Sequence, residues 1–190
     1  MRPIAEQTIL VTGATDGLGR QVALDLAEQG ATLILHGRDH PPGAEVLADV
    51  HRAAGHERSI GQQAIDFDDV MPERSYEQFG AYSQSKLAQI LFTFELSERV
   101  GADSGVTVNA LHPAMDTTMV RESFGRSRTT VEEGARATER LIVDPDLDAV
   151  TGRYYDGLEE STADPQAYDT DSRRRLWTLS EELTGARFEL

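Results

Sequence analysis

A glycine-rich turn between a strand and a helix constrains the fold of this chain more than any other feature. Residues 12–19, TGATDGLG, follow a short apolar run and precede a stretch whose apolar side chains have helical spacing. The glycines at positions 13, 17 and 19 lack side chains, so the backbone can approach a diphosphate at the positive end of the helix. Three glycines by themselves also fit an ordinary connection. Their place between a strand and a helix favours a dinucleotide site.

The N-terminal part of the chain predicts alternating strands and helices. Residues 8–11 and 31–35 are apolar runs typical of buried strands. One helix is expected from Leu18 to a stop at Gly30, and a second over residues 42–54. Strands that alternate with helices pair in parallel, so this order predicts an α/β, Rossmann-like fold with helices on both faces of a parallel sheet.

The rest of the chain continues the alternation. It predicts a long helix over residues 77–100, a strand over 106–111, a helix over 130–143 with a capping box, a strand over 152–155 and a helix over 171–183 capped by Asp171. A length of 190 residues falls within the usual size of one domain. We therefore expect a single domain over residues 1–190.

Charge and composition limit the partners. The formal net charge of −15, from 33 acidic and 18 basic side chains, would repel phosphate backbones and anionic lipid headgroups, which argues against nucleic acid and membrane partners. There is no cysteine, so thiolate metal sites are excluded, and no metal ligand set is predicted. No apolar run reaches the roughly 18 residues that span a bilayer, and the N-terminal apolar stretch is too short for a signal peptide. A cytoplasmic protein is expected.

A tyrosine and the only lysine of the chain lie four positions apart. On a helix, residues with this spacing share a face, so Tyr82 and Lys86 can point into one cleft. A phenol titrates near pH ~10 in water and exchanges protons poorly at neutral pH unless a nearby positive charge favours its anion. Lys86 can supply that charge. The alternative is a chance pair on a solvated helix face.

The residues after the second predicted strand bear on the choice of cofactor. That strand is followed by His36, Gly37, Arg38 and Asp39. A cofactor with a free ribose 2′-hydroxyl favours a carboxylate at this place, whereas an arginine suits a 2′-phosphate. Arg38 therefore predicts NADP, and Asp39 leaves NAD open.

Three stretches together resemble the short-chain dehydrogenase/reductase family: TGATDGLG after the first strand, YSQSK on the long helix, and VTVNALHP at the later strand. The residues around YSQSK and the tail from GRYYDG onward resemble the branch that includes retinol dehydrogenase-like and protochlorophyllide reductase-like enzymes. The resemblance implies a nicotinamide-dependent oxidoreductase. It implies that Tyr82 is the general acid/base, and that Lys86 contacts the nicotinamide ribose and lowers the pKa of the phenol.

The resemblance implies further site residues. Ser59 is the best match to the serine that holds the substrate carbonyl, and Pro113 with Thr117 or Thr118 matches a loop that closes over the nicotinamide. The expected cofactor-binding residues are Gly13, Thr15, Asp16, Gly17, Leu18, Gly19, Arg38, Tyr82, Lys86, Pro113 and Thr118. In an alternative reading, residues 61–67 form the third strand, Asp66 touches the adenine and Ser59 is only a loop residue.

The chain is short for this family. Only 69 positions separate Gly13 from Tyr82, and roughly 80 residues are absent near Arg58 and Ser59 by comparison with ordinary members. The third to fifth strands of the family fall in this gap. We therefore expect a shortened parallel sheet of about four strands, in which the first strand pairs directly with the strand at residues 106–111.

Two functions remain open on the sequence. The first is an NADP-dependent oxidoreductase that acts on a small apolar carbonyl or alcohol. The second is a non-catalytic, shortened relative that retains the shell of the fold and weak nucleotide binding. The long helix loses a neighbour in the shortened chain, so altered self-association, including a homo-oligomer, is also open.

Overall fold

The computed structural model describes residues 3–14, 17–36, 62–74, 76–113 and 130–187, without the side chains of residues 78 and 102. Its strands are β1 (Thr8–Thr12), β2 (Thr32–His36), β3 (Ala110–His112), β4 (Tyr154–Asp156) and β5 (Glu159–Ser161). Its α-helices are α1 (Gly17–Glu28), α2 (Gln78–Val100), α3 (Val131–Val143) and α4 (Thr170–Thr184). The helix predicted over residues 42–54 lies outside the described residues.

The chain divides into two compact units. The first comprises residues 1–54, 111–148 and 156–159, and the second comprises residues 55–110, 149–155 and 160–190. Each unit has a hydrophobic cluster of its own.

The first unit contains the predicted strand, turn, helix and strand. β1 and β2 pair in parallel from Thr8 opposite Thr32 to Thr12 opposite His36. Since the strands run in the same direction, α1 makes the crossover connection that a parallel pair requires. The α/β fold class predicted from the sequence is confirmed by this β-α-β unit.

The core of the first unit lies where α1 packs against β1 and α3. Its buried residues are all small or aliphatic: Val11, Ala14, Val22, Ala23, Leu26 and Ala135. The predicted capping box of α3 is present, because Glu133 N donates to Thr130 Oγ1 at 3.2 Å and Thr130 N donates to Glu133 Oε2 at 2.8 Å.

The core of the second unit forms around one apolar stripe of α2. The residues predicted for this stripe, Leu87, Ile90, Leu91 and Phe94, are all buried. They pack with Tyr154, Ala163, Ala167 and Leu176, which come from β4, the segment after β5 and α4. α2 ends at Val100, where Gly101 has φ 75 and its N–H bonds to Ser97 O. No helix in the described ranges combines the length and the apolarity needed to cross a bilayer.

The strand pairing differs from the prediction. Among the described strands, β1 pairs with β2, and a separate sheet has the order β3-β4-β5. The predicted direct pairing of β1 with a strand at residues 106–111 is therefore wrong for these residues. The strand observed in this part of the chain is only Ala110–His112. A strand of this length offers few ladder hydrogen bonds to a longer strand such as β1.

Side-chain hydrogen bonds explain why β3 is so short. Asn109 Nδ2 donates to Val150 O at 2.8 Å, and Asn109 Oδ1 accepts from Arg153 N at 3.0 Å. Val108 N donates to Thr151 Oγ1 at 3.0 Å. Because side chains here occupy backbone groups that a ladder would use, regular strand geometry begins only at Ala110.

Two further expectations about elements are corrected. α4 is capped by Asp169 and not by Asp171, since the Asp169 carboxylate accepts from Ser172 N at 3.0 Å. Hydrogen bonds from Ser172 also lower the pKa of Asp169. Residues 62–67 form no strand, so the reading that made residues 61–67 a third strand is wrong over its described part.

Glu139 on α3 is a carboxyl group whose protonation favours the folded state. Gln29 Nε2 donates to Glu139 Oε2 at 3.5 Å. Burial, followed by the neighbouring Asp25 carboxyl, raises the pKa of Glu139 to about 7 from an ordinary value of 4.5. Between pH 4.5 and about 7, Glu139 is therefore protonated in the folded chain and ionised in the unfolded chain. The contribution of Glu139 is complete below pH 4.5 and is lost as the pH rises through about 7.

We expect Glu139→Gln, which keeps the neutral form at every pH, to stabilise the protein at about pH 8 and to lose this advantage at about pH 4. The expected gain in the free energy of unfolding is up to about 1 kcal/mol, because solvent screens a partly exposed group. Denaturant melts at the two pH values measure it. Glu28→Gln, at an exposed position of α1, is the control for net charge, and an equal gain in both variants would contradict the prediction.

Candidate functional site

The glycine turn at the end of β1 is built by close backbone contact. Gly13 has φ 68 and Gly17 has φ 53, which are left-handed values that favour glycine. A Cβ on Gly19 would lie 2.4 Å from the carbonyl oxygen of Gly13. Ala14 N donates to His36 O at 3.0 Å, which ties the turn to the end of β2.

The start of α1 presents the chemistry that a diphosphate needs. The first N–H groups of a helix have no acceptor within the helix, and the helix dipole adds a partial positive charge at this end. Gly17, Leu18 and Gly19 form the first turn of α1. Gly17 adds no side chain over these N–H groups, and Gly19 lets the helix start pack against the backbone of Gly13, so the described residues fit a dinucleotide diphosphate. Thr15 and Asp16 lie outside the described residues.

Tyr82 and Lys86 lie on consecutive turns of α2 and contact each other. The Nζ of Lys86 is 5.3 Å from the centroid of the Tyr82 ring. Both residues are half-buried. The two side chains therefore do not diverge into solvent, as a chance pair on an exposed helix face would.

Burial is the cause of the change in the pKa of the Tyr82 phenol. Burial raises the pKa of Tyr82 above its ordinary value of 10.0, which is opposite to the lowering expected from Lys86. The ammonium lies against the ring, where a cation interacts with the π face, and burial disfavours the phenolate. A higher pKa makes the phenol a weaker acid, so burial alone does not tune Tyr82 for proton transfer at neutral pH.

The backbone around Tyr82 is held by three local hydrogen bonds. Glu77 caps α2, because its carboxylate accepts from Phe79 N at 3.1 Å and from Gly80 N at 2.5 Å. Ser85 Oγ donates to Tyr82 O at 2.6 Å. The sequence analysis did not single out Glu77, although a carboxylate just before an apolar-periodic run is a recognised cap signal.

The predicted site residues fall in three groups. Gly13, Gly17, Leu18, Gly19 and Pro113 lie in the first unit, and Tyr82 and Lys86 lie in the second. Ser59, Arg38, Thr15, Asp16 and Thr118 lie outside the described residues, as do the alternatives Asp39 and Thr117. The roles assigned to all of these residues stay predictions.

Asp66, which the alternative reading places at the adenine, is occupied within its own loop. Its Oδ1 accepts from Asp68 N at 2.9 Å, and its backbone N donates to Gln84 Oε1 at 3.0 Å. The first bond lies within the loop and the second joins the loop to α2, and neither supports an adenine contact.

An open cavity of about 360 Å³ lies at the C-terminal end of α2. Its walls include Ser97, Glu98, Tyr168 and Arg173, and none of the predicted catalytic residues. Arg173 Nη2 donates to Glu98 Oε1 at 2.5 Å. Because this pair neutralises itself, the cavity carries no net charge that would select an ionic ligand.

The parallel β1-α1-β2 unit, with a glycine turn at the start of its helix, defines a Rossmann-like α/β protein. The profile of the short chain dehydrogenase family matches residues 7–71, which include the glycine turn. Human retinol dehydrogenase 13 is 39% identical over 156 residues, covering 73% of this chain and 44% of that protein. Human retinol dehydrogenase 14 is 37% identical over 140 residues, covering 64% of this chain and 40% of that protein.

Solved structures show the same fold. An uncharacterized protein from Mycobacterium paratuberculosis superposes with a TM-score of 0.72 at 23% identity, covering 100% of this chain and 97% of that chain. A short chain dehydrogenase from Salmonella enterica superposes with a TM-score of 0.56 at 21% identity, covering 84% of this chain and 99% of that chain. The chain belongs to the short-chain dehydrogenase/reductase family, in its retinol dehydrogenase-like branch. It spans less than half of the length of the retinol dehydrogenases that it matches.

We expect Gly19→Ala to lower the free energy of unfolding by roughly 3 kcal/mol or more, at the upper end of the range for overpacking, because the new Cβ meets rigid backbone. Gly13→Ala is the matched control in the same turn, since a Cβ there has nothing within 4 Å. It should lose only about 1–2 kcal/mol, from its left-handed backbone conformation. Denaturant melts compare the two. A smaller loss for Gly19→Ala than for Gly13→Ala would contradict the close contact.

Proposed function

We propose that this protein is an NADP-dependent oxidoreductase that interconverts a carbonyl compound and the corresponding alcohol. The observation that carries the proposal is the contact between Tyr82 and Lys86, with Lys86 Nζ 5.3 Å from the ring centroid. It is supported by membership of the family and by the glycine turn within the matched residues. The activity of the whole relatives does not transfer by itself, because the chain covers under half of their length.

The proposed reaction assigns a separate task to each group. A bound nicotinamide supplies the hydride in reduction and accepts it in oxidation. Tyr82 holds the proton at its hydroxyl and donates it to the developing alkoxide oxygen of the substrate. The phenol is protonated at neutral pH, as this direction requires, although burial raises its pKa and makes it a weaker acid. Lys86 keeps a positive charge beside the ring and binds the hydroxyl groups of the cofactor ribose.

The remaining contacts of the proposal come from residues matched to the family. Ser59 would hydrogen-bond the carbonyl oxygen, and Pro113 with Thr118 would lie over the nicotinamide. Backbone groups of Gly13, Gly17, Leu18 and Gly19, with Thr15 and Asp16, would hold the diphosphate. Arg38 would bind the 2′-phosphate, two positions after the end of β2 at His36. Asp39 keeps NAD as the alternative cofactor.

The proposed substrate is a small apolar aldehyde, ketone or alcohol. The human relatives reported above are named as retinol dehydrogenases, so retinol and its aldehyde should be assayed beside the small apolar compounds. The single domain, the cytoplasmic location and the homo-oligomer stay predictions.

A non-catalytic role is the second candidate, and a specific observation favours it. β1 pairs with β2 and with no other described strand, whereas a Rossmann sheet binds its nucleotide at the point where strand order reverses. A chain without the other half of that crevice would bind nucleotide weakly and act as an interaction module.

Tyr82→Phe should lower NADPH-dependent turnover of aldehydes at least about a hundredfold, because the proton donor is removed while the ring remains. Absorbance of NADPH measures the rate. Tyr76→Phe is the matched control, since Tyr76 is 68% exposed just before α2, and it should keep wild-type activity. Equal activity of the Tyr82→Phe variant and wild type, or no turnover by folded wild type across aldehydes, ketones and quinones, would contradict the proposed reaction.

Calorimetric titration separates the two candidate functions and the two cofactors. We expect saturable binding of NADPH that is tighter than the binding of NADH. Arg38→Asp should weaken NADPH at least about tenfold, the worth of one charge-assisted hydrogen bond, and leave NADH less affected. Arg174→Asp makes the same change of charge at an exposed position of α4 and should change neither. No saturation by either nucleotide would favour the interaction module.

A further inference from the structure

Residues 62–66 are held by side-chain amides where a strand partner would ordinarily hold them. Gln166 lies in the short 3-10 helix Pro165–Tyr168. Its Oε1 accepts from Ile65 N at 2.6 Å, and its Nε2 donates to Ile65 O at 3.2 Å. One amide thus exchanges both hydrogen bonds with one residue, as a residue of a neighbouring antiparallel strand does. We call residues 62–66 the anchored segment.

Other bonds attach the anchored segment at both ends. Asp66 N donates to Gln84 Oε1 at 3.0 Å, and Gln63 N donates to Ser83 O at 3.4 Å. Asp164 N donates to Gln62 Oε1 at 2.7 Å. The segment is therefore fastened on one side to α2 and on the other to the start of the 3-10 helix.

Burial makes these bonds necessary. Ile65 is 6% exposed and belongs to the same hydrophobic cluster as Leu87 and Ala167. A buried backbone N–H or C=O that loses its partner costs its full desolvation penalty. Gln166 supplies one donor and one acceptor at the required place, which neither a carboxylate nor an aliphatic side chain can do.

The attachment points on α2 flank Tyr82. Ser83 and Gln84 follow it directly. On the other side, the position of a Cβ on Gly80 lies 3.3 Å from Gln63 Oε1. Tyr82 belongs to the second turn of a helix that begins at Gln78, and helix ends open at low cost in free energy. A segment bonded across this turn keeps it from opening.

We propose that Gln166 and Gln84 are positioning residues for Tyr82: by fastening the anchored segment across the second turn of α2, they hold the phenol at a fixed orientation and depth. The catalytic meaning of this placement rests on the proposed function. The placement itself does not, because it can be measured on the protein without substrate or cofactor.

The physical consequence is a change in the solvation of the phenol. Loss of the Gln166 amide leaves Ile65 N and O without partners. The anchored segment then moves into contact with water, which supplies hydrogen bonds to these two groups. The turn that carries Tyr82 then opens more often, and water reaches its hydroxyl. Burial raises the pKa of Tyr82 in the intact protein, so hydration should bring that pKa back toward its ordinary value.

The test is an NMR titration of protein with 13Cζ-labelled tyrosine, combined with amide hydrogen exchange. The Tyr82→Phe spectrum assigns the Tyr82 resonance. We expect the Tyr82 pKa to lie above 10.0 in wild type and to fall in Gln166→Ala and in Gln84→Ala. Exchange of the Ile65 amide should quicken about tenfold in Gln166→Ala, the worth of one buried hydrogen bond, and exchange of the exposed Asp66 amide should quicken by a smaller factor in Gln84→Ala. Gln89→Ala, at an exposed position of the same helix, should change none of these.

Kinetics supply the second arm. In both variants we expect kcat for aldehyde reduction to fall about tenfold while the KM for NADPH stays unchanged, since Tyr82 and not the cofactor site is displaced. Gln166→Glu keeps the acceptor and loses the donor, so at a pH where it is ionised it should restore part of the slow Ile65 exchange.

Faster amide exchange with an unchanged Tyr82 pKa and an unchanged kcat would show a structural role only and would overturn the proposal. If Gln166→Ala does not fold, Gln84→Ala decides, because it removes a single bond whose donor, Asp66 N, is exposed. If wild type shows no turnover, the proposed function fails, and the titration and the exchange rates still decide whether the two glutamines position Tyr82.

Discussion

The burial of one apolar stripe on α2 is the constraint on which the second unit depends. Leu87 and Leu91 are completely buried, and together with Ile90 and Phe94 they determine the rotation of the helix about its axis. With 3.6 residues per turn, that rotation leaves Tyr82 and Lys86 on a neighbouring stripe, half-buried and in mutual contact. The packing that stabilises the unit therefore also places the Tyr82 phenol beside the Lys86 ammonium. If this packing were weaker, the contact between Tyr82 and Lys86 would be lost before α2 lost its helical structure.

At two places in the described part of the chain, a side-chain amide makes the backbone hydrogen bonds that a neighbouring strand would ordinarily make. Gln166 exchanges two hydrogen bonds with Ile65, and Asn109 exchanges two with the backbone of residues 150 and 153. Both amides satisfy backbone groups in segments that are not regular strands. Buried N–H and C=O groups need partners, and these side chains supply them where no described strand lies alongside. These two amides show how a shortened member of the family keeps its second unit packed.

The choice between an enzyme and a non-catalytic relative depends on two features, and each unit contains one of them. The first unit retains a turn whose backbone contacts exclude any side chain at Gly19, and the second retains a protonated phenol with a cation against its ring. The glycine turn also contributes to the packing of its unit, because Gly19 lies against the backbone of Gly13; the pair of Tyr82 and Lys86 makes no such contribution to the core. An apolar side chain in place of Tyr82 or Lys86 would cost the core little, since neither residue belongs to the buried cluster. Their presence is explained more simply by chemistry than by stability.

Local pattern determined much of this protein. The strand, glycine turn, helix and strand, the apolar stripe of α2, the capping box at Thr130 and the spacing of Tyr82 and Lys86 all follow from interactions between residues close in sequence, and each could be predicted. Tertiary structure alone decided the rest. Burial in the folded chain raises the pKa of Tyr82, and β3 pairs with a segment about 45 positions away. The bond between Gln166 and Ile65 spans 101 positions, and no local pattern marks either residue, because such a contact exists only after the chain has folded.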